Sequence, residues 1–349
     1  MNRKSWVRWL DSFADNLKSK IENRKWAGFL VILILLVGHV GTAEAQQQAK
    51  VAKIGVLQFR SASDQSPGRE ALRKEFRALG YVEGKNIAFE YRSGERKIDQ
   101  LTAAAGALVQ LNVDVLVASS TPGALAVTNA TKTIPIVFYD VIDPVASGLV
   151  DSLARPGGNV TGVTNIGAVL AGKRLELLKE TVPTLSRVGL LWHPQDPGSV
   201  QQWKESQLPA RELGLQLYSM EVSSADKFEG AFKEAIKAGS AALAEASSPL
   251  FLTNYKQIAD LAAKYRLPAI GTRREFVEGG GLISYGADRI EPYKRAAAMV
   301  DKILKGAKPA DLPVEQPTKF ELLINLKTAK ALGLTIPPVV MMRAERVIK

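Results

Sequence analysis

The sequence predicts an α/β protein of two doubly wound parallel-sheet lobes joined by a hinge, and three observations carry that prediction. From Val51 onward, β-branched runs alternate with amphipathic runs, the pattern of parallel strands covered by helices. The same landmarks occur twice in the same order. At 349 residues the chain is also too long for one ordinary domain and short for three.

In chain order, 51–59, 87–91, 113–118 and 134–139 read as the strands of the first lobe. The second set is 188–192, 216–222, 240–246 and 268–271, with helices in the gaps, for instance at 69–79 and 257–264. Ile54-Gly55-Val56-Leu57 matches Val188-Gly189-Leu190-Leu191, and Leu79-Gly80 matches Leu213-Gly214 at the same offset. Ser120-Thr121-Pro122 and Ser247-Ser248-Pro249 each close the third strand of their set, and Ile134-Pro135 pairs with Leu267-Pro268. The division expected is a leader over 1–45, an N-terminal lobe over 51–165 completed by part of the C-terminal segment, and a second lobe over 166–290. Residues 291–349 then supply a hinge-crossing helix and the C-terminal segment.

The leader reads as a secretory signal peptide. Arg3, Lys4, Arg8, Lys18, Lys20, Arg24 and Lys25 outweigh Asp11, Asp15 and Glu22, the 26–40 stretch is uncharged, and Ala43-Glu44-Ala45 is an A-x-A cleavage site. The apolar stretch falls short of the ~20 residues of a membrane-spanning helix. Cleavage after Ala45 would release a periplasmic chain starting at Gln46. An uncleaved anchor is the alternative, because Trp6, Leu10, Phe13, Leu17 and Ile21 recur at helical spacing.

Composition excludes several chemistries. With no cysteine and only His39 and His193, disulfides, thiolate nucleophiles and multi-His metal sites cannot be built, so neither metal nor cofactor is expected. The net charge of +11 is spread among interspersed acids, which argues against a nucleic-acid partner. Gly167 to Lys173 approaches a phosphate-binding loop, but Arg174 stands where a hydroxyl should hold magnesium. Lys173 and Arg174 read instead as a solvated helix start. His193 finds no G-x-S-x-G nucleophile, and Gly279-Gly280-Gly281 lacks dinucleotide spacing and reads as a turn into a strand from Leu282. No enzyme activity is expected.

The fold itself nominates a site. Ligands of open parallel sheets bind beyond the carboxyl ends of the strands, where loops converge and helix N-termini present free N–H groups. The first lobe offers Gln58, Phe59, Arg60, Ser120, Thr121, Tyr139, Asp140 and Asp143 there. The second offers Trp192, His193, Ser247, Ser248, Thr272, Arg273, Tyr285 and Asp288. Rings, hydroxyls and single charges suit a small polar molecule with an apolar portion. Ser120-Thr121-Pro122 is the sharpest candidate, a helix start that either receives a carboxylate or merely caps itself. Asp143-Pro144 reads as a cap or as a cleft acid, and Tyr139 and Trp192 as stacking rings or core closures.

Several segments together resemble one family. They are Gly80-Tyr81-Val82-Glu83-Gly84-Lys85-Asn86, Ser120-Thr121-Pro122, Thr133-Ile134-Pro135-Ile136-Val137-Phe138, Asp143-Pro144-Val145 and Arg155-Pro156-Gly157-Gly158-Asn159-Val160-Thr161-Gly162. Gly280-Gly281-Leu282-Ile283-Ser284-Tyr285-Gly286 and the stretch from Phe320 to Pro338 complete the set. This combination is similar to the bacterial ABC-transporter substrate-binding proteins with the type I periplasmic fold, in the branch related to aromatic amino-acid binders. The resemblance covers nearly all of 51–349. It implies a periplasmic binder that captures a small organic solute, such as an amino acid or aromatic acid, between two lobes. It also implies a monomer that delivers this solute to an ABC permease in the inner membrane. An exported sensory domain that partners a membrane receptor is the alternative. By the family pattern, Thr121-Pro122 and Asp143-Pro144 border the cleft and the loop ending at Tyr285 faces them. Where amino-acid-binding relatives open the matching helix with Asp-Asn, this chain has Ser247-Ser248, which removes a carboxylate suited to an α-amine.

Overall fold

The computed structural model describes residues 51–59, 67–288 and 290–349. The expected leader with its cleavage site, Arg60 and Arg289 lie outside these residues. The first lobe begins with β1 (Ala52–Gln58), α1 (Pro67–Ala78), β2 (Ile87–Ser93) and α2 (Leu101–Gln110). It continues with β3 (Val115–Ser119), α3 (Ser120–Ala130), β4 (Ile136–Val141) and β5 (Val160–Thr164). These strands pair in parallel in the order β2-β1-β3-β4-β5.

The chain then crosses to a second lobe of α4 (Leu170–Thr181), β6 (Arg187–Trp192), α5 (Pro197–Glu212), β7 (Gln216–Glu221), α6 (Phe228–Lys237) and β8 (Ala242–Glu245). Short α7 (Pro249–Leu252) is followed by α8 (Tyr255–Lys264), β9 (Ala269–Gly271), α9 (Arg274–Glu278) and β10 (Ile283–Ala287). A second crossing leads to α10 (Glu291–Leu304), which packs on α1 and β4 of the first lobe. A third brings β11 (Phe320–Asn325), α11 (Leu326–Leu332), α12 (Pro338–Met341) and β12 (Arg346–Ile348) back to the second sheet. Its order is β12-β11-β10-β9-β8-β6-β7, with β10 and β11 antiparallel. The order of the first sheet thus recurs as β7-β6-β8-β9-β10, in keeping with the doubled landmarks of the sequence.

Each sheet is buried on both faces, because alternate residues of a strand point to opposite sides. In the first lobe Ile54, Val56, Val115 and Val117 face α1 and α10 through Leu72, Phe76 and Val300. Leu57, Leu116 and Ala118 face α2 and α3 through Leu108 and Val127. In the second, Val188 and Leu190 meet Leu178 and Ala210 on one side, while Leu191 and Leu243 meet Phe228, Phe232 and Ile258 on the other. Burying each of these large side chains contributes roughly 1.5–3 kcal/mol.

The crossings are short and cross-tied. Thr164 Oγ1 accepts from the Ile166 N–H at 3.2 Å and donates to the Val141 carbonyl at 2.8 Å. Asn165 Oδ1 accepts from the Gly167 N–H at 2.8 Å. These bonds hold Ile166 at a φ of +48°, an unusual conformation for a β-branched residue. At the other crossings, the Asp288 N–H donates to the Lys319 carbonyl at 3.0 Å, and Thr161 Oγ1 donates to the Leu312 carbonyl at 2.7 Å.

Gly286 lies so close to β9 that a Cβ there would collide with the Thr272 carbonyl oxygen. Backbone cannot yield as a flexible side chain can. Gly286→Ala is therefore expected to cost about 1–3 kcal/mol, read as a lower urea midpoint than that of the wild-type protein.

Candidate functional site

Between the two sheets, beyond the carboxyl ends of their strands, lies a cavity of about 120 Å³. That is near the ~150 Å³ known to take a single six-membered ring. Gln58, Phe59, Ser119, Ser120, Tyr139, Asp140, Pro292 and Tyr293 wall it from the first lobe. Pro249, Leu252, Thr253, Tyr255, Arg273 and Glu275 wall it from the second.

Of the residues nominated by sequence, Gln58, Phe59, Ser120, Tyr139, Asp140 and Arg273 line this cavity. Arg273 and Asp140 form an ion pair from one lobe to the other, with side-chain exposures of only 10% and 20%. Asn165, in the first crossing, donates to the same Asp140 oxygen at 2.7 Å. Burial works against the Arg273 charge, but the Asp140 carboxylate more than offsets it, so the guanidinium holds its proton more firmly than usual. Burial and the neighbouring Tyr293 push the Tyr139 phenol well above its usual range, so it is a neutral wall. Its ring centroid lies 4.9 Å from that of Tyr293.

Ser120 opens α3 with a φ of +66°, a strained conformation for a side-chain-bearing residue. Its hydroxyl is buried and faces no hydrogen-bond partner in the protein, and the residue belongs to the cavity lining. The preceding Ser119 makes no side-chain cap, so the hydroxyls do not merely close the helix end.

The remaining nominated residues serve neighbouring structure. Thr121 Oγ1 accepts from the Ile142 N–H at 3.1 Å, which fixes the loop after β4. Asp143 caps a turn by accepting from the Ala146 N–H, and Asp288 caps the approach to α10 through the N–H groups of Ile290 and Glu291. Trp192 stacks on Trp203 at 5.5 Å and donates to Ser219, outside the cavity. Tyr285 packs against Phe320. Thr272 is buried against Tyr255 and Glu245. Ser247 and Ser248 lie behind the wall, where Ser247 exchanges backbone bonds with Gln202 and Ser248 Oγ lies 3.3 Å from His193 Nδ1.

Sequence reasoning did not nominate Tyr255, Glu275, Pro292 or Tyr293. They start helices rather than end strands, and α10 reaches the cavity only because the chain crosses the hinge a second time. The tyrosine that starts α8 and the proline and tyrosine in the first turn of α10 were the available signal, and Glu275 carried none. Arg174 also departs from expectation. It is 3% exposed rather than solvated, and donates to the Tyr285 carbonyl at 2.9 Å, the Gly167 carbonyl at 3.3 Å and Gln202 Oε1 at 3.2 Å. Burial lowers its pKa to about 10 and raises that of neighbouring Glu245 to about 8, each offset in part by the other's charge.

A second contact between the lobes lies beside the cavity. A Cβ on Gly198, in the first turn of α5, would stand 2.7 Å from Thr121 Oγ1 and 3.0 Å from Ile142 Cδ1, so only glycine permits this approach. Asp196 caps α5, accepting from the Gly198 N–H at 3.0 Å, and burial pushes its carboxyl from 3.8 up to about 7 despite bonds from Ser248, Gly198 and Ser199.

A two-lobed binding protein with a cleft walled from both lobes is the class that this architecture and cavity define; the fold is that of the type I periplasmic binding proteins. The chain belongs to the ABC transporter substrate binding protein family, whose model matches residues 53–348. It is 27% identical over 285 residues to a tyrosine-binding protein of Clostridioides difficile, covering 82% of each chain. Among solved structures it resembles a conserved domain protein of Vibrio cholerae, at 31% identity and a TM-score of 0.80, over 85% of this chain and 100% of that one. A Streptococcus pneumonia ABC domain in complex with L-Trp gives 28% identity and a TM-score of 0.79 over 85% and 99% of the two chains. Members of this family are substrate-binding proteins. Among the described residues no helix is long and apolar enough to cross a membrane.

Because the Asp196 pKa is raised on folding, protonation stabilises the native state fully below pH 3.8, and this contribution is lost as pH rises through about 7. Relative to Asp196→Asn, which keeps the cap, the wild-type protein is expected to lose stability across that interval. The slope is at most about 1.4 kcal/mol per pH unit, read from denaturation midpoints at several pH values.

Proposed function

We propose that this chain is an exported capture protein that closes its two lobes over a small organic solute, an amino acid or an aromatic acid, and delivers it to an ABC permease in the inner membrane. The observation that carries this reading is a cavity walled from both lobes, with Ser120, whose buried hydroxyl has no partner in the protein, in its lining at the N-terminus of α3. A buried hydroxyl without a partner is costly unless something fills its bonding capacity. A helix N-terminus beside it favours an anionic group, and Arg273 lines the same cavity from the second lobe.

The aromatic surfaces of Phe59, Tyr139, Tyr255 and Tyr293 suit a ring at the other end of the solute. The relatives' names support this, since one is a tyrosine-binding protein and another was solved with L-Trp. Affinity comes from burial between preformed lobes, and hinge closure is the working motion. No catalytic residue is required. The protein acts as a monomer in the periplasm, its partner being the permease.

A thermal-shift screen of the purified protein against amino acids, aromatic acids, short peptides, nucleosides and sugars tests the reading. A saturable rise in melting temperature with one of the first two classes is expected. A rise with sugars alone would overturn the solute class. Ser120→Gly removes the hydroxyl and relieves the positive φ. It is expected to leave the melting temperature of the ligand-free protein unchanged or slightly higher while weakening solute affinity about tenfold, the worth of one hydrogen bond.

A further inference from the structure

The contact beside the cavity, where Gly198 of α5 meets Thr121 and Ile142 of the first lobe, has a carboxyl group built into it. Asp196, two residues before that glycine, is 1% exposed and belongs to none of the described ion pairs. Its bonds come from the Gly198 and Ser199 N–H groups and the Ser248 hydroxyl, all neutral donors. Ser248 Oγ lies 3.3 Å from His193 Nδ1, and His193 Nε2 is buried without a partner. The carboxyl is therefore fixed in place by hydrogen bonds, while no described cation pairs with it.

The charges on the packed elements do not supply what is lacking. From the first lobe, Asp140 at the end of β4 repels Asp196, and the Arg273 that would offset it is already bonded to Asp140. Asp143 follows Ile142 in the next loop, and α3, which packs on α5, carries no charged side chain. From the second lobe, burial holds His193 towards its neutral form, β7 ends in the exposed Glu221, and burial raises the Glu245 carboxyl at the end of β8 to about 8. On α4, Arg174 spends its donors on Gly167, Tyr285 and Gln202, and Lys173 pairs with Glu176. While the lobes touch, an ionised Asp196 is thus a buried anion facing a second one. Such a group relieves its cost by taking a proton. Separation of the lobes removes both causes together, because water reaches the start of α5 and Asp140 withdraws.

We propose that closure of the lobes at this contact takes up a proton on Asp196, so that the protein closes more readily as its surroundings become more acidic. The raised pKa of this carboxyl agrees in cause as well as direction, since burial contributes most and Asp140 adds to it. A carboxyl that binds its proton more tightly in the closed form favours closure. That bias is fully present below the 3.8 of an open, hydrated carboxyl and is lost as pH rises through about 7. Between these limits each pH unit changes the closed-to-open ratio by up to about tenfold. The device acts through the lobe contact and holds whatever solute the cavity takes.

The chain has no cysteine, so a donor and an acceptor dye can be attached through Lys85→Cys on the first lobe and Lys237→Cys on the second, both exposed positions. Single-molecule energy transfer in the ligand-free protein then reads the closed-to-open ratio at about pH 5.5 and about pH 8.5, on either side of the transition. The ratio is expected to be at least about tenfold higher at the lower pH. Asp196→Asn keeps the helix cap and an acceptor for Ser248 but cannot ionise. It is expected to hold the higher ratio at both pH values. Gly198→Ala sets a Cβ against Thr121 and is expected to give a low ratio at both. Melting curves report which variants fold, and either folded one decides. A pH response in it as large as that of the wild type overturns the proposal, as does a wild-type ratio that is the same at both pH values.

Discussion

The Arg174 guanidinium is the point at which the second lobe is fastened to its hinge. It sits in the apolar layer between β8 and α4 and spends its donors on the carbonyls of Gly167 and Tyr285, one in the crossing that enters the lobe and one in the strand that leaves it. Through Gln202 it also reaches the loop after β8 and the first turns of α5, the helix that touches the first lobe. A buried cation costs several kcal/mol unless it is paired and bonded. Here three acceptors satisfy the guanidinium, and Glu245, whose carboxyl burial raises to about 8, adds attraction only in its ionised form. The cleft edge of the second lobe is therefore bonded both to the crossing that enters it and to the strand that leaves it.

Part of the backbone strain lies where that piece meets the first lobe. Ser120, Asp140, Asp143 and Ile166, four of the eight side-chain-bearing residues with positive φ among those described, lie at strand ends or in a crossing. Conformations of this kind cost of order 1–3 kcal/mol each and persist only where surrounding bonds over-determine them. Thr121, Thr164 and Asn165 provide those bonds. The result is a cavity whose polar groups are aimed before any solute arrives, which reduces the ordering cost of binding.

Much of the architecture was legible because parallel strands covered on both faces must be written as apolar runs. The runs starting near Val51, Val113 and Val188, and the paired landmarks, led directly to two lobes of like order. β5 was less legible, since Gly162 interrupts its five residues, and β12 has only three. The rule that places ligands beyond strand carboxyl ends led to Phe59, Ser120, Tyr139 and Arg273, which line the cavity. The same rule also nominated Trp192, Tyr285 and Asp288, which sit at strand ends but turn to a neighbouring ring or a helix cap.

The sequence by itself determined the two-lobed α/β plan, the lack of cysteine and multi-histidine chemistry, and the strand ends from which a site could be assembled. These follow from periodicity and composition, which are local properties of the chain. Only the tertiary structure decided that Asp140 meets Arg273, that α10 crosses back to bring Tyr293 to the cavity, and that Arg174 is buried rather than solvated. Those outcomes depend on how two separately folded sheets are set against each other across three crossings, and no local pattern encodes that distance.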